Sequence, residues 1–260
     1  MLYQLERVCR FAVRGLRGQW PNDENFPLMP AVTTEIKGIS SMATRQVLLE
    51  LVDAFQRRSG CRVAIESVGG VDAARRVQAG EAFDVVCLAS DAIDKLVASG
   101  CVQPGSKVDL VRSGVAVAVR AGAHEPDIST EQALRQAVLA ARSISYSTGP
   151  SGVALASLFA RWGVAAEIQG RIVQAPPGVP VGSLVASGEV ELGFQQLSEL
   201  LNLDGIAVLG PLPPAIQIIT TFSAGVCIGT RHASAVRAML DDMNSPEAAL
   251  AKRRQGMEPA

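Results

Sequence analysis

From Thr33 onward the chain alternates two hydrophobic periods. Short runs that are apolar at every second position, or throughout, give way to longer stretches with apolar residues three and four apart. The first such run, Glu35–Ile39, predicts a strand. A helix is predicted over Met42–Arg58, with Val47, Leu48, Leu51, Val52 and Phe55 on one face and Gly60 as its stop. Arg62–Ser67 reads as a second strand with Val63 and Ile65 turned inward. The turn Ser67-Val68-Gly69-Gly70-Val71-Asp72 then opens a short helix carrying Ala73, Ala74 and Val77, closed by Gly80. Phe83–Ala89 is almost continuously apolar, as expected of a central parallel strand covered on both faces. Ser90-Asp91 caps a helix over Ala92–Ala98, and Gly100 ends it. Strand and helix alternate three times, which predicts a doubly wound, mostly parallel sheet. Ligands of such sheets bind at the C-terminal ends of strands, beside helix N-termini.

Val111–Arg120 is an apolar strand long enough to cross from one lobe to another, and after it the pattern restarts. Asp127-Ile128-Ser129-Thr130 caps a helix over Glu131–Arg142, and Ser143–Ser147 is a strand. Thr148-Gly149-Pro150-Ser151-Gly152 is a turn of small residues before a helix over Val153–Trp162. Arg171–Gln174 reads as a short strand and Pro176-Pro177-Gly178-Val179-Pro180 as a loop. A helix over Val181–Ala186 follows, with Gly182 at its start. The strand Glu191–Phe194 ends in Gln195-Gln196-Leu197-Ser198-Glu199, with a short helix over Leu197–Leu201. Ile206–Leu209 and Gln217–Ile228 are strands, the second long enough to cross back. Ser234–Met243 is a terminal helix and Lys252–Ala260 a polar tail. The expected organisation is a first lobe of residues 31–115 plus 220–260 and a second lobe of residues 116–219. Two crossover strands join them, so that the pair hinges shut on a ligand. Residues 1–30 read as an appendage outside this core. Leu5, Val8, Phe11 and Leu16 suit a short amphipathic helix there, and Met29 is an alternative start.

Composition narrows the partners. With 48% hydrophobic and 19% charged residues the chain is expected to fold rather than stay disordered. A net charge of −1 gives no basic field for nucleic acid or anionic lipid, so an anion must be held by local geometry. No stretch is long and apolar enough to span a membrane. Glu6, Arg7, Arg10, Arg14 and Arg17 interrupt the N-terminus where a secretory signal needs an apolar core, which predicts a cytoplasmic chain if Met1 is the start. The five cysteines are scattered, with no disulfide framework and no metal-ligand spacing, and Cys87 and Cys227 sit inside apolar runs. His124 and His232 read as exposed, and neither has a Cys, Asp or Glu partner at metal-ligand spacing. P-loop, GxSxG, HExxH and GxGxxG patterns do not occur, and neither metal nor cofactor is expected.

The candidate chemistry lies at strand–helix turns. Ser40 and Ser41 stand where a strand meets a helix whose first N–H groups lack partners and carry partial positive charge. Small hydroxyl residues there leave room for an anion and can donate to it. Gly69-Gly70, Ser147 and Ser151-Gly152 repeat the device, and Gln195 and Gln196 follow a strand at its ligand-binding end. Arg45, one helical turn on, adds a cation suited to carboxylates. Each has a plainer reading. The serines can be simple caps, the glycines tight turns, Arg45 a solvated side chain and Glu199 a helix cap or surface charge rather than a base.

Four segments in order resemble the signposts of a known family: Gly38-Ile39-Ser40-Ser41, Gly80-Glu81-Ala82-Phe83-Asp84-Val85, Ser151-Gly152 and Gly188-Glu189-Val190-Glu191-Leu192-Gly193. Together with Gly210-Pro211-Leu212-Pro213 they resemble the type II solute-binding proteins of ABC transporters, most closely the molybdate-binding branch, over residues 33–259. The resemblance implies a two-lobed type II periplasmic-binding-protein fold of α/β class. It also implies a small anionic ligand, a periplasmic location and an ABC transporter permease as partner. Matching positions would hold the anion through Ser40, Ser41, Gly69 and Gly70 from one lobe. Ser147, Ser151, Gly152, Val181, Gly182 and Gln195 or Gln196 would hold it from the other. The branch usually carries a tyrosine where this chain has Gln195-Gln196, and Arg45 is an added cation. Both departures suit a larger organic carboxylate. Bacterial aconitate isomerases look like the same branch and move a double bond between the trans and cis forms of a tricarboxylate. An isomerase of that type, or a ligand-sensing domain, is therefore the alternative to a binder. No residue declares itself as the base.

Overall fold

The computed structural model describes residues 34–260 except Pro177, so the expectations for residues 1–30 lie outside the described residues. β1 (Glu35–Ser41) outlasts its apolar stretch because its last residues still pair in parallel with β2 (Arg62–Val68), Ser40 opposite Ser67 and Ser41 opposite Val68. A 3-10 turn over Met42–Thr44 then delays α1 (Arg45–Ser59), whose buried face is Val47, Leu48, Leu51, Val52 and Phe55. Gly60 closes α1 with a left-handed φ of 71°, a conformation that strains any residue with a Cβ. α2 (Gly70–Gln78), β3 (Val85–Ala89) and α3 (Ser90–Ala98) follow. β3 is buried along its whole length. Val85, Cys87 and Ala89 join one core, with residues of α1, and Val86 and Leu88 join another, with residues of α2 and α3. Cover on both faces is what made this run read as continuously apolar. Burial also pushes the Cys87 and Cys227 thiols up to about 12, so they behave as inert core groups.

β4 (Val108–Arg120) leaves this lobe for a second. There α4 (Glu131–Ala140), β5 (Ile144–Tyr146), α5 (Pro150–Arg161), α6 (Ala165–Ile168), α7 (Val181–Ser187), β6 (Leu192–Gln196), α8 (Leu197–Leu200) and β7 (Ile206–Pro211) follow in order. β8 (Ile219–Val226) returns to the first lobe and leads to α9 (Ala233–Met243), α10 (Ala248–Arg254) and β9 (Met257–Pro259). The strand order is β2-β1-β3-β8-β4-β6-β5, with β7 and β9 also paired to β4. β2-β1-β3 and β5-β6 are parallel, and the strands that cross between lobes, β4 and β8, pair antiparallel with their neighbours. The crossing falls at Val115. Residues 108–114 of β4 pair with β8, and from Val115 onward the strand pairs with β6 and then also β7. On the return path Val115 accepts from Leu212 N–H and donates to the Ile218 carbonyl (both 3.1 Å).

Phe159 is the hub of the second core. Its ring meets those of Tyr146 and Phe194 edge-on, each at 5.9 Å between centroids. Such pairs add about 0.5–1.5 kcal/mol each beyond area burial. They seat α5 on β5 and β6 and so fix the turn that precedes α5.

Two expectations are corrected. Arg171–Gln174 is not a strand. Only Ile172 bridges to Ile144, after a 3-10 turn over Gln169–Arg171. Nor is the C-terminus a loose polar tail. Met257 is buried and β9 pairs with β4, Met257 opposite Ser113. Lys252 is buried too, donating from Nζ to the Leu110 carbonyl and to Asn244 Oδ1 (both 2.8 Å), and desolvation lowers its pKa. Among the described residues no helix is long and apolar enough to cross a membrane.

Candidate functional site

The C-terminal ends of the parallel strands and the starts of several helices open on one cleft of about 710 Å³. From the first lobe it receives Ser41 at the end of β1, Gly69 and Gly70 at the start of α2, and Ala89 and Asp91 at the start of α3. From the second come Ser147–Ser151 at the start of α5, Pro180 and Val181 at the start of α7, and Gln195, Gln196 and Glu199 where β6 runs into α8. Thr220 and Phe222 of β8 close the back. Helix N-termini converging from both sides give the cleft unpaired N–H groups and a positive bias.

Of the candidate residues, Ser41, Gly69, Gly70, Ser147, Ser151, Gln195 and Gln196 line this cleft, and four others do not. Ser40 is fully buried, its Oγ 2.8 Å from Ser67 Oγ on the neighbouring strand. Ser40 turns to β2, while Ser41, the next residue along the strand, turns to the cleft. Arg45 is exposed outside the cleft. The 3-10 turn moves the start of α1, and Arg45 lies with Gln46 and Leu49 on the solvent side while Val47 and Leu48 enter the core. Gly152 is a close-approach residue. A Cβ there would sit 1.6 Å from the Ser147 carbonyl oxygen. Gly182 spends its N–H on Gln195 Oε1 (3.1 Å), and a Cβ would meet Leu203 Cδ1 at 2.4 Å.

The polar groups in the cleft are already organised. Ser147 Oγ and Ser151 Oγ lie 3.1 Å apart across the start of α5. The Gln195 amide accepts from Gly182 N–H and donates from Nε2 to Glu199 Oε1 (2.9 Å). Gln196 reaches the crossing strands. Its amide oxygen, in the orientation that satisfies both ends, accepts from Thr220 Oγ1 (2.8 Å). Its nitrogen then donates to Ser113 Oγ (2.9 Å) and to the Ser113 and Gly114 carbonyls. Consecutive glutamines therefore serve two places, one in the cleft wall and one at the junction of β4 and β8. α8 also ties the lobes together, since Ser198 Oγ donates to the Ala43 carbonyl at 2.8 Å.

The cations of the cleft are not Arg45 but two others. Arg75 and Lys95 both line the cleft, from α2 and α3. Arg75 pairs with Asp72 at 2.7 Å and Lys95 with Asp91 at 3.7 Å. A signal for them was present. Gly70, Val71, Ala74, Arg75 and Gln78 share one helical face, as do Asp91, Ala92 and Lys95, so a face that starts at a ligand-facing turn continues into the cleft. From the sequence Glu199 reads as a cap or surface charge. It instead lines the cleft, partly buried, and desolvation lifts its carboxyl from 4.5 to about 7, only partly opposed by the Gln195 hydrogen bond. No His/Cys/Asp/Glu cluster among the described residues could hold a metal ion.

Two lobes joined by a crossing at Val115, with a cleft at their strand ends, define the type II periplasmic-binding-protein fold. Residues 36–258 match the family model for bacterial extracellular solute-binding proteins, and the chain belongs to that family. A curated relative, an aconitate isomerase of a Pseudomonas species, is 38% identical over 240 residues, covering 90% of this chain and 91% of the relative. The periplasmic molybdate-binding protein of Azotobacter vinelandii shares the fold at a TM-score of 0.71 and 23% identity, over 85% of this chain and 98% of that one. The sulfate-binding protein SubI of Mycobacterium tuberculosis H37Rv does so at 0.72 and 16%, over 87% of each chain.

Proposed function

We propose that this chain closes its two lobes on a tricarboxylate and isomerises it, moving a double bond between the trans and cis forms of aconitate. The observation that carries this reading is the make-up of the cleft. Arg75 and Lys95, each beside a neighbouring aspartate in an exposed pair, bring cations to the first lobe, and serine hydroxyls and helix starts line the second. A single tetrahedral oxyanion would fill little of a cleft of about 710 Å³. An extended anion with several carboxylates uses both walls. The aconitate isomerase relative, aligned along nine-tenths of both chains, supports the same ligand class. In this reading Ser41, Gly69, Gly70, Ser147, Ser151, Gln195 and Gln196 surround the ligand. The lobes divide near Val115 and Thr220, at the junction that Gln196 bridges.

A second reading, favoured by the family as a whole, is a receptor that binds the anion without changing it and hands it to an ABC transporter permease. Proton NMR separates the two. Incubation with trans-aconitate is expected to yield cis-aconitate. A melting temperature raised by aconitate, citrate, sulfate or molybdate, without turnover at high protein concentration, leaves the receptor alone standing. No shift with any of these anions removes both.

A further inference from the structure

We propose that Glu199 is the acid–base residue that carries the proton between two carbons of the ligand, with Gln195 as the positioning residue that holds it. The inference rests on the isomerase reading above. Moving a double bond along an allylic system needs one proton removed and one returned. A carboxylate takes a proton from the methylene carbon, breaking that C–H bond. The electron pair shifts through the double bond onto the conjugated carboxylate. The carboxylic acid so formed then gives the proton to the far carbon. One C–H bond is broken and one formed, the double bond moves by one position, and no oxidant or co-reactant enters. A single group on one face of the ligand suffices.

Three observations select Glu199. First, the cleft lining includes no His, Cys, Tyr or other carboxylate free of a cation. Asp72 is engaged by Arg75 at 2.7 Å and Asp91 by Lys95 at 3.7 Å, both on the exposed side of their helices. Glu199 has no salt bridge among the described residues. Second, its orientation is set. Gln195, 4% exposed, accepts from the Gly182 N–H, so its amide nitrogen must face Glu199, and it donates to Oε1 at 2.9 Å. The other carboxyl oxygen, Oε2, has no hydrogen-bond partner among the described residues and is left for a proton of the ligand. Third, the group sits where β6 meets α8, in the strand-end zone where ligands of this architecture lie. Desolvation supports the role, since a carboxyl near 7 accepts and returns a proton with comparable ease at neutral pH.

Wild type, Glu199→Gln and Gln195→Ala are compared for turnover of trans-aconitate and for citrate binding by calorimetry. The expected result for Glu199→Gln is a kcat lower by at least ~100-fold with citrate affinity within about threefold of wild type. In wild type, kcat/KM should rise with pH as Glu199 loses its proton near 7. The charged groups sharing its cleft, Asp72, Arg75, Asp91 and Lys95, are paired among themselves. Gln195→Ala should lower kcat and move that limb to higher pH, because the lost hydrogen bond is one that lowers the Glu199 pKa. A merely structural role would not move it. Turnover in wild type with Glu199→Gln within threefold overturns the assignment and leaves the isomerase reading intact. Absence of turnover in wild type removes both. If Glu199→Gln does not fold, a wild-type profile flat from pH 5.5 to 8.5 overturns the assignment.

Discussion

Replacing Glu199 by glutamine should make the protein more stable at neutral and alkaline pH and leave it unchanged in acid. The folded carboxyl is lifted from 4.5 to about 7, chiefly by desolvation. Below about 4.5 the group is protonated in both folded and unfolded chains and contributes no difference. Between 4.5 and 7 the folded chain keeps a proton that the unfolded chain has released, so stability falls as pH rises. Above 7 the loss is complete. A shift of that size corresponds to about 3 kcal/mol at most. The side chain is only partly buried at the cleft wall, so screening by water brings the expected figure to about 2 kcal/mol. Glutamine keeps the shape and can still accept from Gln195 Nε2, but it has no charge to desolvate. Urea denaturation of both proteins at pH 4 and pH 8 measures the difference directly, provided the m-values agree. The variant should gain about 2 kcal/mol at pH 8, or about 4–8 °C in Tm for a chain of this size, and nothing at pH 4. Because other carboxylates titrate alike in both proteins, they cancel. A difference that stays constant across the pH range, or a variant less stable at pH 8, would refute the reasoning that burial strains this carboxylate.

Gly152→Ala should lose more than about 3 kcal/mol in thermal or urea unfolding, because a Cβ 1.6 Å from the Ser147 carbonyl cannot be placed without moving the start of α5. Ligand binding should fall with it, since Ser147 and Ser151 move together. Gly60→Ala, with open space around its Cβ but a left-handed φ of 71°, should lose only about 1 kcal/mol. Arg75→Ala and Lys95→Ala should each weaken aconitate or citrate binding in calorimetry about fivefold to tenfold, and high salt should narrow the gap to wild type. Arg45→Ala should leave binding unchanged, because Arg45 lies outside the cleft lining, and a loss equal to that of Arg75→Ala would put the ligand in the wrong place.

The architecture was legible wherever a single period of hydrophobicity decided it. β3 could be read from Phe83–Ala89 because both faces of that strand are covered, and α1 from five apolar residues on one face. What escaped depended on partners far along the chain. β9 forms because Met257 finds a place beside Ser113 of β4, and nothing in the polar stretch around it announces a strand. Lys252 would be read as solvated anywhere, yet two acceptors brought by β4 and by the end of α9 satisfy it in the core. α6 and the bridge at Ile172 are too short for any periodicity to register. The apolar run predicts one return strand from Gln217, but β8 starts only at Ile219, after Pro213, Pro214 and a 3-10 turn.

The candidate site divides along a similar line. A sequence shows which turns have room for an anion, and the turns at Ser41, Gly69-Gly70 and Ser147–Ser151 do meet in one cleft. It does not show which polar group at such a turn is already engaged. Ser40 is taken by Ser67 and the Gly182 N–H by Gln195, and both partners come from other elements. Nor does it show the rotation of a helix about its axis, which a three-residue 3-10 turn changes enough to send Arg45 to solvent. The same rotation argument, applied to α2 and α3, brings Arg75 and Lys95 into the cleft. The expectation that a carboxylate ligand would need a cation therefore keeps its physical basis but changes its residues. Gln195 and Gln196 both line the cleft, yet their amides are engaged in different places. One amide braces Glu199 inside the cleft, and the other joins Thr220 to Ser113 and Gly114, where the chain passes between lobes.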